Sequence, residues 1–124
     1  MKIVVLEAFA SNPGDISWDA MLKLGDLVLY DRTLQEDVAA RIGDAEAVLV
    51  NKVHVTDEIM ARCPNLAYIG VLATGYNVVD TKAAARRGIT VTNIPAYSTD
   101  AVAQFTFALL LEICHQTGHH CEEV

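Results

Sequence analysis

The stretch Lys2-Ile3-Val4-Val5-Leu6-Glu7-Ala8-Phe9 decides the fold of this 124-residue chain. It is rich in β-branched and leucine side chains, which is typical of a strand covered on both faces, and such strands belong to parallel sheets. Four more apolar runs repeat the pattern downstream, at Leu27–Tyr30, Ala47–Val50, Leu66–Ala73 and Ile89–Ile94. The chain therefore predicts a sheet of five parallel strands.

Segments with helical spacing lie between these runs, at Asp19–Leu24, Leu34–Ile42, Asp57–Arg62 and Thr81–Arg87. Thr33 followed by Glu36 matches a capping box and predicts the start of the second helix. Gly25, Gly43 and Gly88 follow three of the helices, where left-handed residues close helical turns. The alternation of strands and helices predicts an α/β fold: an open parallel five-stranded sheet with right-handed crossovers and helices on both faces.

A last helical pattern runs from Thr99 to Thr117 and is apolar nearly all round. Such a helix has to be buried on all sides, whereas a sheet already covered by four helices offers it only one face. We expect a long C-terminal helix that begins after a Ser-Thr-Asp cap cluster, closes near Gly118, and lies between two domains or two chains. Self-association through this helix follows as an expectation.

Composition narrows the functional classes. The net charge of −7 argues against nucleic acid and against a membrane surface, because both need clustered Lys and Arg. The longest apolar run, Phe105 to Ile113, is far below the roughly 20 residues of a bilayer span. Three irregularly spaced cysteines and no leading signal pattern predict a cytoplasmic protein.

Ligands of such sheets gather at the carboxyl ends of the strands. There the turn Ala73-Thr74-Gly75 has a small-residue tip whose backbone N–H groups, aided by the next helix, could bind a carboxylate or phosphate. The alternative is that Gly75 makes a plain strand-to-helix turn and Asp80 is an N-cap. Asn51 and Lys52 end the third run, where Lys52 either steers an anionic substrate or is simply a solvated loop residue.

The C-terminal His and Cys residues do not predict a metal site. His115 and His119 have i, i+4 spacing and Cys121 is near, but Gly118 is expected to break the helix between the histidines, and no second ligand cluster exists upstream. The chain also lacks the G-x-G-x-x-G, P-loop and G-x-S-x-G motifs.

A run of motifs resembles the D-2-hydroxyacid dehydrogenases, in particular the glycerate dehydrogenase and hydroxypyruvate reductase branch. The motifs are Leu72-Ala73-Thr74-Gly75-Tyr76-Asn77-Val78-Val79-Asp80, then Ala83 to Gly88, then Val91-Thr92-Asn93-Ile94-Pro95, then Ser98 through Leu111. The resemblance implies a flavodoxin-like substrate domain in residues 1–97. It also implies that residues 98–124 form an interdomain helix and the start of a Rossmann domain that binds NAD.

The resemblance also implies roles for individual residues. Thr74 and Gly75 would offer backbone N–H groups to the carboxylate of a small 2-hydroxy or 2-oxo acid, with Ala73 and Tyr76 shaping the pocket. Asn51 and Lys52 would lie at the mouth of the same substrate pocket. Three residues of the long helix would lie near the nicotinamide end of the cofactor: Thr99, Val102 and Gln104.

The family's catalytic arginine, glutamate and histidine would all come later in the chain, so no catalytic residue is carried over to this sequence. We therefore expect an N-terminal substrate-binding part of such a dehydrogenase, truncated or split, that is inactive alone. The alternative is a free-standing flavodoxin-like module that binds an anion or a protein without catalysis. The two differ in what the long helix contacts.

Overall fold

The computed structural model of the chain describes residues 1–123. Five parallel strands form one sheet in the order β2-β1-β3-β4-β5. Their bounds are Lys2–Val5 (β1), Asp26–Leu29 (β2), Ala47–Val50 (β3), Tyr68–Val71 (β4) and Thr90–Thr92 (β5). This arrangement confirms the flavodoxin-like open parallel sheet, and its connections reverse direction between the neighbours β1 and β3.

Within residues 1–123, seven α-helices follow or separate the strands. They are Ala8–Ser11 (α1), Asp19–Leu22 (α2), Val38–Ile42 (α3), Asp57–Ala61 (α4), Thr81–Arg86 (α5), Thr99–His115 (α6) and Thr117–Glu122 (α7). A 3₁₀ turn at Gln35–Asp37 precedes α3. Each strand residue alternates between the two faces of the sheet, so both faces receive apolar side chains.

The two faces are buried unequally. Val4, Val48 and Ile69 belong to the larger core, which α3, α4 and α5 complete with residues such as Ile42 and Met60. On the opposite face a small cluster of Val5, Ala8 and Leu49 is flanked by the partly buried Trp18 and Met21. Helices therefore cover both faces, as predicted, but α1 and α2 are short and bury much less.

The first strand is shorter than its apolar run predicts. β1 ends at Val5, and Ala8 and Phe9 lie in α1, because the Ala8 N–H donates to the Tyr30 carbonyl (2.8 Å) and turns the chain out of the sheet. The capping box at Thr33 is also wrong. The Thr33 hydroxyl donates to the Leu6 carbonyl across the fold and accepts from Arg41, so it caps no helix.

Two of the three predicted helix-closing glycines adopt positive φ, Gly43 at 53° and Gly88 at 71°. Gly25 does not, and its role is different. A Cβ there would collide with the Met1 carbonyl oxygen, to which the neighbouring Asp26 N–H donates at 2.9 Å. Gly25 therefore lets two backbone segments pass closely at the start of β2.

Helix α6 begins at Thr99 as predicted and ends at His115, earlier than the pattern suggested. Gln116, not Gly118, takes the left-handed conformation (φ 47°) that closes it, and Gly118 lies inside α7. No residue of α6 is buried. Phe105 is 64% exposed and Ile113 75%, so this apolar helix packs on neither face of its own sheet.

Candidate functional site

At the carboxyl ends of the strands, hydrogen bonds join the loop after β4 to the loop after β5. After β4, the Thr74 hydroxyl donates to the Ile94 carbonyl (3.1 Å), and the Asn93 side chain donates to the Thr74 carbonyl (2.7 Å). The Ile94 N–H donates back to Ala73 at 3.1 Å. These three bonds fix the loop after β4 against the loop after β5.

The N–H groups of Thr74 and Gly75 remain free within this fixed loop. Among residues 1–123 no protein group accepts from either of them, and both residues are exposed. Gly75 has an ordinary φ, and a Cβ there would meet only the Asn77 side chain, at 3.3 Å. Two adjacent donors on a braced loop are suited to a carboxylate, because hydrogen bonds to a charged acceptor are stronger than neutral ones.

The helix after this loop does not assist these donors, contrary to the sequence prediction. α5 begins only at Thr81, five residues beyond Tyr76, and the intervening Val79 pairs with Val55. The Asp80 carboxylate itself caps α5 by accepting from the Ala83 N–H at 2.9 Å. Asp80 is therefore an N-cap, and the positive end of the α5 dipole already faces its own carboxylate.

The loop after β3 is fixed by two side chains that sequence reasoning missed. The N–H groups of Asn51, Lys52 and Val53 all donate to Glu7 Oε2, at 2.9, 2.6 and 3.0 Å. Gln35 both donates to the His54 carbonyl (2.9 Å) and accepts from its N–H (2.8 Å). The one available signal was Glu7 itself, a charge at the end of an apolar run.

The predicted substrate residues fall around more than one depression. Asn51 lines a cleft of about 440 Å³ at the strand ends, together with Leu72 and Ile94. Thr74 and Gly75, which carry the free donors, are not among its lining residues. Trp18 and Met21 form part of its wall. Tyr76 instead lines a separate cleft of about 320 Å³ with Val91 and Asn93. Lys52 is exposed and lines neither cleft.

The residues predicted to approach the cofactor lie in the first two turns of α6. Thr99 and Val102 are three positions apart and share one side of the helix, whereas Gln104 is about 200° around from Val102. All three are exposed, and none lines the clefts described above. These residues alone do not form a cradle for a dinucleotide.

Among residues 1–123, most of the histidines and cysteines lie in the C-terminal helices α6 and α7. No group of three His, Cys, Asp or Glu there could hold a metal ion. His115 ends α6, whereas His119 lies in α7 and pairs with Glu123 at 3.3 Å. Burial raises the pKa of the Cys63 thiol, which suits a packed side chain rather than a nucleophile.

Over residues 1–123, no helix is long and apolar enough to cross a membrane.

Comparison with known proteins identifies the family. A model of the catalytic domain of D-isomer-specific 2-hydroxyacid dehydrogenases matches residues 3–119. The chain belongs to this family. Hydroxypyruvate reductase of Blautia hydrogenotrophica is 52% identical to it, with an alignment that covers 100% of this chain and 39% of the relative. Glycerate dehydrogenase of Methylorubrum extorquens is 36% identical over 63% of the chain and 25% of its own length.

Solved structures of dehydrogenases and reductases share the fold. An acyclic imino acid reductase (Bsp5), solved with NADPH and D-Arg, superposes with a TM-score of 0.80 at 25% identity, over 99% of this chain and 41% of its own. The D-lactate dehydrogenase of Aquifex aeolicus, complexed with NAD and lactic acid, gives 0.73 at 26% identity over 90% and 33%. The chain therefore spans about two fifths or less of these four proteins, and nicotinamide cofactors occur in both structures.

Proposed function

We propose that this chain holds the substrate carboxylate of an NAD(P)-dependent D-2-hydroxyacid dehydrogenase that acts on a small acid of the glycerate and hydroxypyruvate type. The observation that carries this proposal is the pair of free N–H donors at Thr74 and Gly75 on a loop braced by Asn93 and Ile94. Family membership and the hydroxypyruvate reductase relative support the substrate class.

The loop that carries the two donors is already fixed by its own hydrogen bonds before a carboxylate binds. A carboxylate that accepts from both donors would be oriented by them, which is how enzymes convert a bimolecular encounter into a fixed geometry. The adjacent cleft, with Asn51 and Leu72 in its wall, leaves room for the remainder of a small acid. Ala73 packs on the large core and so supports the loop from below. Tyr76, which lines the separate cleft, and the exposed Lys52 would act from outside this cleft.

We further propose that residues 1–97 are the substrate-binding domain and residues 98–124 an interdomain helix with the start of a Rossmann domain. The exposed apolar surface of α6 supports this division, because a helix with no buried residue needs another domain or a second copy of the chain to cover it. The same observation disfavours the free-standing module, in which α6 would pack on its own sheet.

A cofactor role is proposed for the first turns of α6, where Thr99 and Val102 share one side. Gln104 could contact only a group on the other side of the helix. We expect NAD(H) to bind the 124-residue chain weakly at best, because these side chains stand on an open surface.

A titration of the ¹⁵N-labelled chain with D-glycerate tests the carboxylate site. We expect saturable amide shifts centred on Thr74 and Gly75 with a dissociation constant on the order of millimolar, and no shifts with glycerol, which lacks the carboxylate. The Asn93→Ala variant should weaken binding because it unties the loop, whereas Asn65→Ala, which also removes an amide donor to a backbone carbonyl, should not. Glycerate shifts that avoid Thr74 and Gly75 would refute the proposal.

A further inference from the structure

The crevice between β1 and β3 is the place where a sheet of this strand order opens for a ligand, because the connections diverge there. Glu7 follows β1 in this crevice, and the segment Asn51–Val53 follows β3 across from it. Three consecutive N–H groups of that segment converge on one atom, Glu7 Oε2, at 2.6 to 3.0 Å. Successive N–H groups turned toward one point form a concave anion-binding nest.

Glu7 is not in this position to serve its own helix. It occupies the N-cap position of α1, yet its side chain makes no cap hydrogen bond there. The carboxylate instead reaches residues that are 44 to 46 positions away in the sequence. Charge-assisted bonds of this kind are about twice as strong as neutral ones, so the contact fixes the loop after β3 relative to β1.

The adjacent residue is fixed in a similar way. The N–H and carbonyl of His54 both bind the Gln35 side-chain amide, and the Val55 N–H donates to the Val78 carbonyl at 2.8 Å. Every N–H from residue 51 to residue 55 therefore has an acceptor from a distant segment. Within this segment only Val55 forms a β-bridge, and the N–H groups of residues 51–54 are bound by the side chains of Glu7 and Gln35.

We propose that Asn51, Lys52 and Val53 form an anion site that the chain fills with its own Glu7 carboxylate. Glu7 is thus a positioning residue: it sets the backbone that presents the Asn51 side chain to the cleft. It also keeps an acid substrate out of the crevice and leaves that substrate to Thr74 and Gly75. This last consequence rests on the proposed function, whereas the anion site itself does not.

Removal of the carboxylate tests the anion site with formate as the probe. In the Glu7→Ala chain we expect formate to bind saturably, to shift the amides of Asn51, Lys52 and Val53, and to restore their protection against hydrogen exchange. The unmodified chain should show none of these effects at residues 51–53. The matched control is Glu46→Ala. Glu46 also bridges β1 and the start of β3 at the opposite end of the strands, but it accepts from one backbone N–H, that of Lys2 at 2.9 Å, with the N-terminal ammonium 3.8 Å away.

A second variant covers the case in which Glu7→Ala does not fold. Glu7→Gln retains an oxygen acceptor without the charge, so exchange protection at residues 51–53 should fall about tenfold, while the amides of Val48 and Ile69 in the core keep theirs. Unchanged protection in Glu7→Gln would overturn the proposal. So would a folded Glu7→Ala chain that ignores formate, or formate binding to the unmodified chain at residues 51–53.

D-Glycerate separates this inference from the proposed function. In the unmodified chain we expect it at Thr74 and Gly75 only, and in Glu7→Ala at residues 51–53 as well. One outcome would uphold the anion site and refute the substrate site. In it, formate shifts the amides of residues 51–53 in Glu7→Ala, but glycerate shifts the Thr74 amide in no variant. Glycerate shifts at residues 51–53 of the unmodified chain would refute the inference that Glu7 occupies the anion site.

Discussion

Replacement of Asp80 by alanine distinguishes a helix cap from a substrate ligand. The Asp80 carboxylate accepts from the Ala83 N–H at 2.9 Å, and no other side chain caps α5. Loss of a cap of this type costs about 1 kcal/mol, with a range of roughly 0.5 to 2. Loss of a negative charge at a helix N-terminus adds roughly 0.3 to 1 kcal/mol. We therefore expect Asp80→Ala to lower the free energy of unfolding by about 1 to 2 kcal/mol.

Urea unfolding followed by circular dichroism measures this loss. With a slope of about 2 kcal/mol per molar urea, the midpoint should fall by roughly 0.5 to 1 M. Asp80→Asn is the matched control, since asparagine caps as well as aspartate, and only the charge contribution should be lost. Thr56→Ala provides a second comparison: Thr56 caps α4 through a longer bond of 3.4 Å, so its loss should be smaller.

Two results would refute this argument. If Asp80→Ala were as stable as the unmodified chain, the hydrogen bond to Ala83 would not act as a cap. If Asp80→Asn abolished D-glycerate binding while it retained stability, Asp80 would belong to the substrate site. We expect glycerate to bind Asp80→Asn as it binds the unmodified chain, because the Asp80 N–H still holds the loop through the Val55 carbonyl (3.1 Å).

Two further predictions concern α6 and acid stability. Leu109→Glu, near the centre of the exposed apolar face of α6, should reduce self-association in sedimentation experiments, because each buried side chain there contributes roughly 1.5 to 3 kcal/mol; a monomeric unmodified chain at high concentration would contradict this. The Arg87 hydrogen bond lowers the pKa of Asp57 below its ordinary 3.8, so Asp57 should stabilise the fold above that pH and lose this effect as the pH falls through its folded-state pKa. The stability gap between the chain and Asp57→Asn should therefore narrow below pH 3.8 in urea titrations, and a gap that stays constant down to pH 2 would disprove the assignment.

Much of the architecture was predictable because local patterns encode it. Ala47–Val50 is a strand with the predicted bounds, since all four of its side chains are buried and the apolar run has no other use. The ends of Lys2–Phe9 were not predictable, because Ala8 leaves the sheet to bind the Tyr30 carbonyl, a contact that no local pattern describes. Thr33 does not cap a helix for the same reason, because its hydroxyl donates to the carbonyl of Leu6, 27 positions away.

The position of the candidate site stays a prediction from the sequence. The motif around Thr74 and Gly75 indicated the loop after β4, and in the structure the N–H groups of both residues have no acceptor among residues 1–123. The supposed help from the following helix did not hold, because the length of the turn depends on how Val79 pairs with Val55. The family resemblance assigned Tyr76 to the pocket, and in the structure Tyr76 lines a separate cleft with Val91 and Asn93.

The sequence by itself determined which segments are strands, which edge of the sheet carries the loops, and that α6 is apolar nearly all round. Periodicity and composition suffice for these, because they depend on near neighbours in the chain. Only the tertiary structure decided that β1 lies beside β3 and that the Glu7 carboxylate fills the crevice between them. Contacts across 44 residues arise from strand order, and hydrogen-bonded backbone N–H groups leave no mark in the side-chain sequence.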